Sequence, residues 1–148
     1  MRAVVQRVLS ASCTVGGRIT GAIDHGLLIY LGVDRGDDEA VMQRLIGKIL
    51  RLRCFADDEG RMNLALSDTG GKVLIISQFT LSADVRHGNR PSFDRAEEPG
   101  RAKALYDKAV EHIRMCGIEA ETGEFGEHME ISYINDGPVT FIYDSALL

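Results

Sequence analysis

Three polar residues, Ser77, Gln78 and Thr80, follow the apolar segment KVLII (residues 72–76) and are the best placed to do chemistry. A serine or threonine hydroxyl at a strand end can act as a nucleophile when a base lies beside it. The spacing of the histidines and carboxylates identifies no such base. A strand that becomes polar where it leaves the core and reaches solvent would contain the same residues. The local sequence is therefore compatible both with a catalytic site at the strand end and with an ordinary solvent-exposed strand end.

A second unusual stretch, Asn135, Asp136, Gly137 and Pro138, separates the β-rich segments HMEISYI and VTFIYD. Proline cannot donate to a sheet ladder and glycine weakens a strand, so the stretch interrupts what otherwise reads as buried strand. All four residue types are common turn formers. The local pattern therefore predicts a hairpin turn between two strands.

The sequence lacks the common catalytic and metal-binding motifs. It contains no G-x-S-x-G, G-x-x-x-x-G-K, H-E-x-x-H or C-x-x-C. The four histidines show no metal-ligand spacing, and the three cysteines are widely separated, as is typical of reduced thiols. We therefore expect no metal site, no cofactor and no redox chemistry.

Composition and charge narrow the function classes. The formal net charge of -5 argues against a protein that wraps a long stretch of nucleic acid. Basic residues do gather in DVRHGNRPSFDR, where Arg86, Arg90 and Arg95 lie near His87. This segment is either a solvated loop or a grip on a nucleic-acid end. No apolar run approaches the roughly 20 residues that span a bilayer, and charged or polar residues interrupt the N-terminal apolar stretch, so we expect a cytoplasmic protein without a membrane segment.

The remaining sequence predicts a single α+β domain over residues 1–148. Helical apolar spacing predicts one helix after an N-cap at Asp37 and another that starts near Pro99 and stops at Gly117. Extended segments come in runs, with a hairpin turn at Gly16 and Gly17. We expect a mostly antiparallel sheet or barrel-like core with two main helices packed on it.

Two motifs together give a family resemblance. SQFTL (residues 77–81) and NDGPVT (residues 135–140) resemble the two signature motifs of the D-aminoacyl-tRNA deacylases. The likeness extends through MRAVVQRV, GNRPSF, LYDKAV and TGEFGEHM, and therefore over essentially the whole chain. Glu127 departs from the small residue of many relatives, and Phe79 separates the chain from the animal-type branch, whose first motif resembles P-Q-A-T-L.

The resemblance implies an activity and a partner. Members of the family are homodimers that hydrolyse the ester between a D-amino acid and the terminal adenosine of tRNA, without an obligatory metal or cofactor. Gly137 and Pro138 would form a cis peptide that enters the partner subunit's active site. Because the pair would exclude an L side chain and make few contacts with a D side chain, glycyl-tRNA should also be cleaved to some degree.

The resemblance also assigns roles to individual residues. The catalytic strand end would comprise Ser77, Gln78, Phe79 and Thr80. The substrate-binding positions would be Arg7, Phe125, Met129, Gly137, Pro138 and Val139. Arg7 is the weakest of these candidates, because an exposed strand residue explains it nearly as well. Two rival functions remain: a small-molecule esterase that uses Thr80 covalently, and a non-catalytic module that binds RNA ends.

Overall fold

The computed structural model describes residues 1–148, and its main sheet has six strands that curl into a nearly closed barrel. The strands of this sheet are β1 (Arg2–Val15), β2 (Arg18–Ile23), β3 (Gly26–Gly32), β6 (Lys72–Ser77), β7 (Ala120–Thr122) and β8 (Glu130–Asp144). β4 (Phe55–Ala56) and β5 (Met62–Leu64) form a separate hairpin. β2 and β7 approach closely, since a Cβ on Gly21 of β2 would lie 2.5 Å from the carbonyl oxygen of Thr122 in β7.

The long strand β1 organises the antiparallel part of the sheet. It pairs antiparallel with β2, β3 and β8. The predicted hairpin between β1 and β2 is confirmed, because Gly16 and Gly17 both have positive φ, at 55° and 81°. Positive φ at both central residues is what a tight hairpin of this kind requires.

Strand β6 adds a parallel part that the expectation of a mostly antiparallel sheet did not contain. β6 pairs parallel with β3 on one side and with β7 on the other. Parallel neighbours need a long crossover between them. Helix α1 (Glu39–Leu50) lies in the connection from β3 to β6, and α3 (Pro99–Met115) lies in the connection from β6 to β7.

The two main helices form where the apolar spacing predicts them. Pro99 occupies the first turn of α3, and a short third helix, α2 (Leu66–Thr69), is too brief to show a helical period in the sequence. The predicted N-cap of α1 is wrong by one residue: the Asp38 side chain accepts the capping bond from the Val41 N–H. The Asp37 carboxylate instead accepts bonds from the Met1 ammonium and the Asp34 N–H, both at 2.7 Å.

The predicted hairpin at residues 135–138 is wrong. Residues 130–144 form one strand, and both halves pair with β1 rather than with each other. Asn135 pairs with Val8 and Thr140 with Gln6, so four residues of β8 lie opposite the single residue Arg7. The stretch is therefore an enlarged bulge, which kinks a strand without ending it.

The core lies on both faces of the sheet. Leu27, Ile29 and Ile75 belong to the main cluster, to which α1 and α3 also contribute, whereas Leu28 and Leu74 belong to a smaller cluster. Burial on both faces explains why β3 and β6 read as continuous apolar runs. None of the three helices is long and apolar enough to cross a bilayer.

Candidate active site

A pocket of about 260 Å³ opens at the end of β6. Ser77, Gln78 and Phe79 line it from the strand end, and Phe125 and Met129 line it from the segment between β7 and β8. The structure thus brings together five of the residues predicted for the site, although they are far apart in sequence.

The strand end is held by backbone contacts. The Gln78 N–H donates to the Leu31 carbonyl at 2.8 Å, and the Leu81 N–H donates to the Gln78 carbonyl at 3.3 Å. Residues Phe79–Ser82 then form a short 3-10 helix. The first N–H groups of a helix have no partner within it, so the backbone N–H groups of Phe79 and Thr80 are left to other acceptors. The Thr80 side chain is exposed and does not line the pocket.

Two glycines shape the site in ways that sequence reasoning missed. A Cβ on Gly32, at the end of β3, would lie 2.8 Å from the Gln78 carbonyl oxygen. A Cβ on Gly123 would clash with the Met129 sulfur and lie 3.0 Å from the Cys13 sulfur. Both positions therefore need the absence of a side chain, one to bring the strand end close and one to seat Met129.

Aromatic rings form the pocket walls. Phe79 is 58% exposed and meets Phe93 edge-on, with 5.0 Å between ring centroids. On the other side Phe125 packs on Tyr106, with 5.9 Å between centroids. The Tyr106 hydroxyl donates to the Ile75 carbonyl at 2.8 Å, so this phenol is already engaged in the fold. The walls suit a flat, apolar ligand surface.

Four other titratable groups line the pocket: Tyr30, Glu97, Glu127 and His128. Burial raises the pKa of Tyr30 to about 12, so Tyr30 keeps its proton at neutral pH. The Glu98 N–H donates to the Glu97 carboxylate at 2.9 Å and lowers the pKa of Glu97, which is therefore an anion. Sequence reasoning connected only Glu127 with the rim of the pocket and missed the other three. Tyr30 lies within β3, Glu97 just before α3, and His128 within the TGEFGEHM segment.

The bulge in β8 is exposed at its tip and braced at its base. The Gly137–Pro138 bond is cis, as the resemblance implies, and both residues are exposed. The Asn135 side chain donates to the carbonyls of Arg7 at 2.9 Å and Val139 at 3.1 Å. These bonds join the two ends of the bulge to each other and to β1.

Arg7 forms the second brace. Its Nε lies 2.8 Å from the Asp136 carboxylate, and its guanidinium also donates to the Cys54 carbonyl. The Nε proton is not aligned on the carboxylate, so this contact is an ion pair without a hydrogen bond. Because the Arg7 side chain is only 13% exposed, the alternative of an exposed strand residue is wrong.

The remaining predicted residues lie on β1 and in the bulge of β8. Arg7, Gly137, Pro138 and Val139 do not line the pocket of their own chain. The Val139 side chain is buried in the main core, so a substrate contact at this position would have to come from its backbone. No group of three or more His, Cys, Asp or Glu side chains is arranged to hold a metal ion.

Comparisons with known proteins agree in the family they indicate. Residues 4–144 match the family model described as D-Tyr-tRNA(Tyr) deacylase. The chain is 52% identical over 145 residues to the D-aminoacyl-tRNA deacylase of Symbiobacterium thermophilum, covering 98% of this chain and 96% of that protein. It is 54% identical over 145 residues to the enzyme of the same name from Koribacter versatilis, covering 98% and 97%.

Two solved structures share the fold. One, described as the c-Myc DNA Unwinding Element Binding Protein, is 36% identical, has a TM-score of 0.92 and covers 97% of this chain and 98% of its own. The other, a probable eukaryotic D-amino acid tRNA deacylase, has a TM-score of 0.81 over 96% and 97% of the two chains, and at 17% identity it supports the fold alone. From the family model and the close relatives, the chain belongs to the D-aminoacyl-tRNA deacylase family of ester hydrolases.

Proposed function

We propose that the chain hydrolyses D-aminoacyl-tRNA in a site shared between two subunits, with the pocket of one subunit completed by the Gly137–Pro138 bulge of its partner. The observation that carries this proposal is the placement of the bulge. Its tip is exposed and braced by Arg7 and Asn135, yet it does not line the pocket of its own chain. A braced, exposed tip is suited to presenting backbone carbonyls to a second molecule.

The outer edge of β8 supports a homodimer. β8 pairs only with β1, which leaves one side of a 15-residue strand open. Tyr133, Ile134 and Ile142 on this strand are 41%, 57% and 82% exposed. A long open edge with apolar side chains is a ready surface for association. Its continuity with the bulge would bring the partner's Gly137 and Pro138 along with the interface.

The pocket suits the end of an aminoacylated RNA. The terminal adenine would lie between the aromatic walls, and the ester would lie at Ser77–Phe79 beside the N–H groups of Phe79 and Thr80. Donors that face a developing oxyanion are typically worth about 2.7 to 4 kcal/mol each when removed. Thr80 would position the ester rather than attack it, because no basic side chain is hydrogen-bonded to its hydroxyl.

The attacking group is water. Tyr30 keeps its proton at neutral pH and therefore cannot serve as the base that activates this water. The ribose hydroxyl next to the ester would orient the water and accept a proton from it as the water oxygen attacks the carbonyl carbon, and would pass its own proton on to the departing ribose oxygen. The acyl–oxygen bond then breaks, the departing ribose oxygen takes a proton, and the free amino acid and tRNA are released. A substrate with a terminal deoxyribose should therefore react far more slowly, and equal rates for the two sugars would contradict this role.

Chirality would be read by exclusion. The partner's Gly137 and Pro138 carbonyls would accept the substrate's amino group and occupy the direction of an L side chain. A D side chain would point outward with few contacts, so many D-amino acids should be accepted, and glycine offers nothing to exclude.

The test is a set of time courses on matched D-tyrosyl-, L-tyrosyl- and glycyl-tRNA, with release of the amino acid as the readout. We expect rapid release from the D-ester, partial release from the glycyl ester and none from the L-ester. Rapid cleavage of L-tyrosyl-tRNA would overturn the exclusion mechanism. Because the substrate is tRNA, we propose that the protein works in the cytoplasm.

The two rival functions make different predictions in the same assay. A small-molecule esterase acting through Thr80 would leave an acyl-enzyme detectable by mass spectrometry. A non-catalytic module that binds RNA ends would bind charged tRNA and release no amino acid. The name of the 36% identical structure describes a protein that binds DNA, so the second rival needs this direct test.

A further inference from the structure

Residues 84–95 form a braced loop whose tip is exposed. The Asp84 and Ser92 backbones exchange two hydrogen bonds, of 2.8 and 2.9 Å, which close the loop at its base. The Arg86 side chain grips the Asp84 carboxylate, with its Nε 2.9 Å from Oδ1, and holds the pKa of Asp84 well below its usual range. The loop therefore has its own internal support, and the residues between these anchors are free to face a partner.

The loop lies beside the mouth of the pocket. Phe93, at the end of the loop, packs edge-on against Phe79, and Phe79 lines the pocket. Arg90 precedes Phe93 by three residues, and three residues span at most about 11 Å between Cα atoms. A polynucleotide whose last base occupies the pocket would therefore place its preceding phosphates within reach of the Arg90 side chain.

The charges of the loop differ from those of the rest of the chain. Residues 84–95 carry three arginines and two aspartates, whereas the whole chain has a net charge of -5. Arg86 is already paired with Asp84, but Arg90 is exposed and has no salt-bridge partner. Arg95 is 52% exposed and lies 3.8 Å from the Asp34 carboxylate. Its carbonyl accepts the Arg35 N–H, so the exposed Arg35 lies next to it.

We propose that the loop of residues 84–95, with Arg90 as its principal contact, binds the phosphate backbone of the RNA whose terminal adenosine occupies the pocket. The proposal rests on the proposed function for the identity of the RNA. A guanidinium presents a planar fork of donors that matches phosphate oxygens, and an unpaired one loses no internal contact on binding. Because the rest of the chain is acidic, the attraction is confined to the RNA end and does not extend along the duplex.

The test compares Arg90→Gln with a conservative and a remote control. Arg90→Lys keeps the charge, and Arg44→Gln removes another exposed arginine without a salt bridge, from α1. A charge-assisted hydrogen bond is typically worth about a tenfold change in affinity or more. We expect Arg90→Gln to lower kcat/KM on D-tyrosyl-tRNA about tenfold through KM, Arg90→Lys to recover part of that loss, and Arg44→Gln to have no effect.

A truncated substrate separates phosphate binding from an effect on the pocket. D-Tyrosyl-adenosine has the ester and the adenosine but no phosphate, so Arg90→Gln should cleave it at the wild-type rate. An equal loss on both substrates, or no loss on D-tyrosyl-tRNA, would overturn the proposal.

A binding measurement keeps this test independent of catalysis. Removing one phosphate contact to a single strand should reduce the slope of log affinity against log salt by about 0.7. We expect this change for uncharged tRNA with Arg90→Gln and not with Arg44→Gln, and an unchanged slope would overturn the role of the loop. Failure of wild-type protein to release D-tyrosine would count against the proposed function alone.

Discussion

The pocket at the end of β6 and the Gly137–Pro138 bulge of β8 are both held in place by specific contacts. They differ in whether both parts of the proposed site meet within one chain. The pocket is assembled within the chain from Ser77–Phe79, Phe125 and Met129. The bulge has equally specific support from Asn135 and Arg7, but Gly137 and Pro138 do not line that pocket in their own chain. Under the proposed shared site, we expect the first region to bind substrate by itself and the second to act only after association.

Loss of association should have the largest effect. Ile142 is 82% exposed on β8, and Ile142→Lys would place a charge on the open edge where we expect the partner to lie. Because each pocket would then lack its partner's bulge, we expect a monomer on sizing and loss of nearly all D-tyrosyl-tRNA hydrolysis. Met115→Lys is the matched control, since Met115 is 76% exposed on α3. A monomeric Ile142→Lys protein with full activity would contradict the shared site.

Distortion of the bulge itself should have the next largest effect. Gly137 has φ of 136°, and a Cβ there would lie 2.8 Å from the Val139 backbone nitrogen. We expect Gly137→Ala to cost about 1 to 3 kcal/mol in the geometry of the bulge and to lower D-tyrosyl-tRNA hydrolysis at least tenfold. Circular dichroism and sizing should still show a folded dimer.

Gly60→Ala is the control for this substitution. Gly60 also has positive φ, at 77°, but a Cβ there would meet no atom within 4 Å. Gly60→Ala therefore introduces backbone strain without a steric clash and away from the site, and we expect this variant to have normal activity. A folded Gly137→Ala dimer with unaltered rates on D-, L- and glycyl-tRNA would remove the bulge from the mechanism.

The same comparison shows what the sequence could and could not predict. The helices α1 and α3 follow from apolar spacing, because a helical face repeats within a few residues. The sequence predicts a hairpin where the structure has a bulge, because Asn, Asp, Gly and Pro are common in both. Only the pairing of both halves of β8 with β1 distinguishes a bulge from a hairpin. The residue types at positions 135–138 carry no information about which distant strand pairs with this segment.

Within the site, the sequence motifs identify more of the pocket residues than the sequence outside those motifs does. SQFTL and TGEFGEHM led to Phe79, Phe125 and Met129, all of which line the pocket. Tyr30 and Gly32 were missed, because each lies in a continuous apolar strand whose end reaches the pocket only through its pairing with β6. Thr80 was grouped with the strand end by sequence, yet its side chain is exposed outside the pocket.

Thr80 tests the strand end beside the pocket. Its hydroxyl is exposed, and exposed substitutions of this kind usually change stability by less than about 0.5 kcal/mol. We therefore expect Thr80→Ala to fold normally and to lower the hydrolysis rate up to about tenfold, the size of one hydrogen bond to the substrate. Single-turnover rates with D-tyrosyl-tRNA provide the measurement. Full activity would leave only the Thr80 backbone in the mechanism, and loss of several thousandfold would favour a nucleophile.

The smallest effect is expected from the brace between Arg7 and Asp136. Asp136 is 39% exposed, so the pair is partly screened by solvent, and a contribution of about 1 kcal/mol is the upper range for such a pair. We expect Asp136→Asn to lower D-tyrosyl-tRNA hydrolysis about fivefold at most, because Asn135 still holds the base of the bulge. Asp58→Asn makes the same chemical change at an exposed carboxylate without a salt bridge and should have no effect.

A double-mutant cycle decides whether the brace acts as a pair. Arg7→Gln also removes a bond to the Cys54 carbonyl, so its own effect should exceed that of Asp136→Asn. If the ion pair is what positions the bulge, Asp136→Asn should add little in the Arg7→Gln background. Fully additive losses would mean that the two side chains act separately. The bulge would then be positioned by Asn135 and the β1 register, and the ion pair would be a consequence of its position rather than a cause.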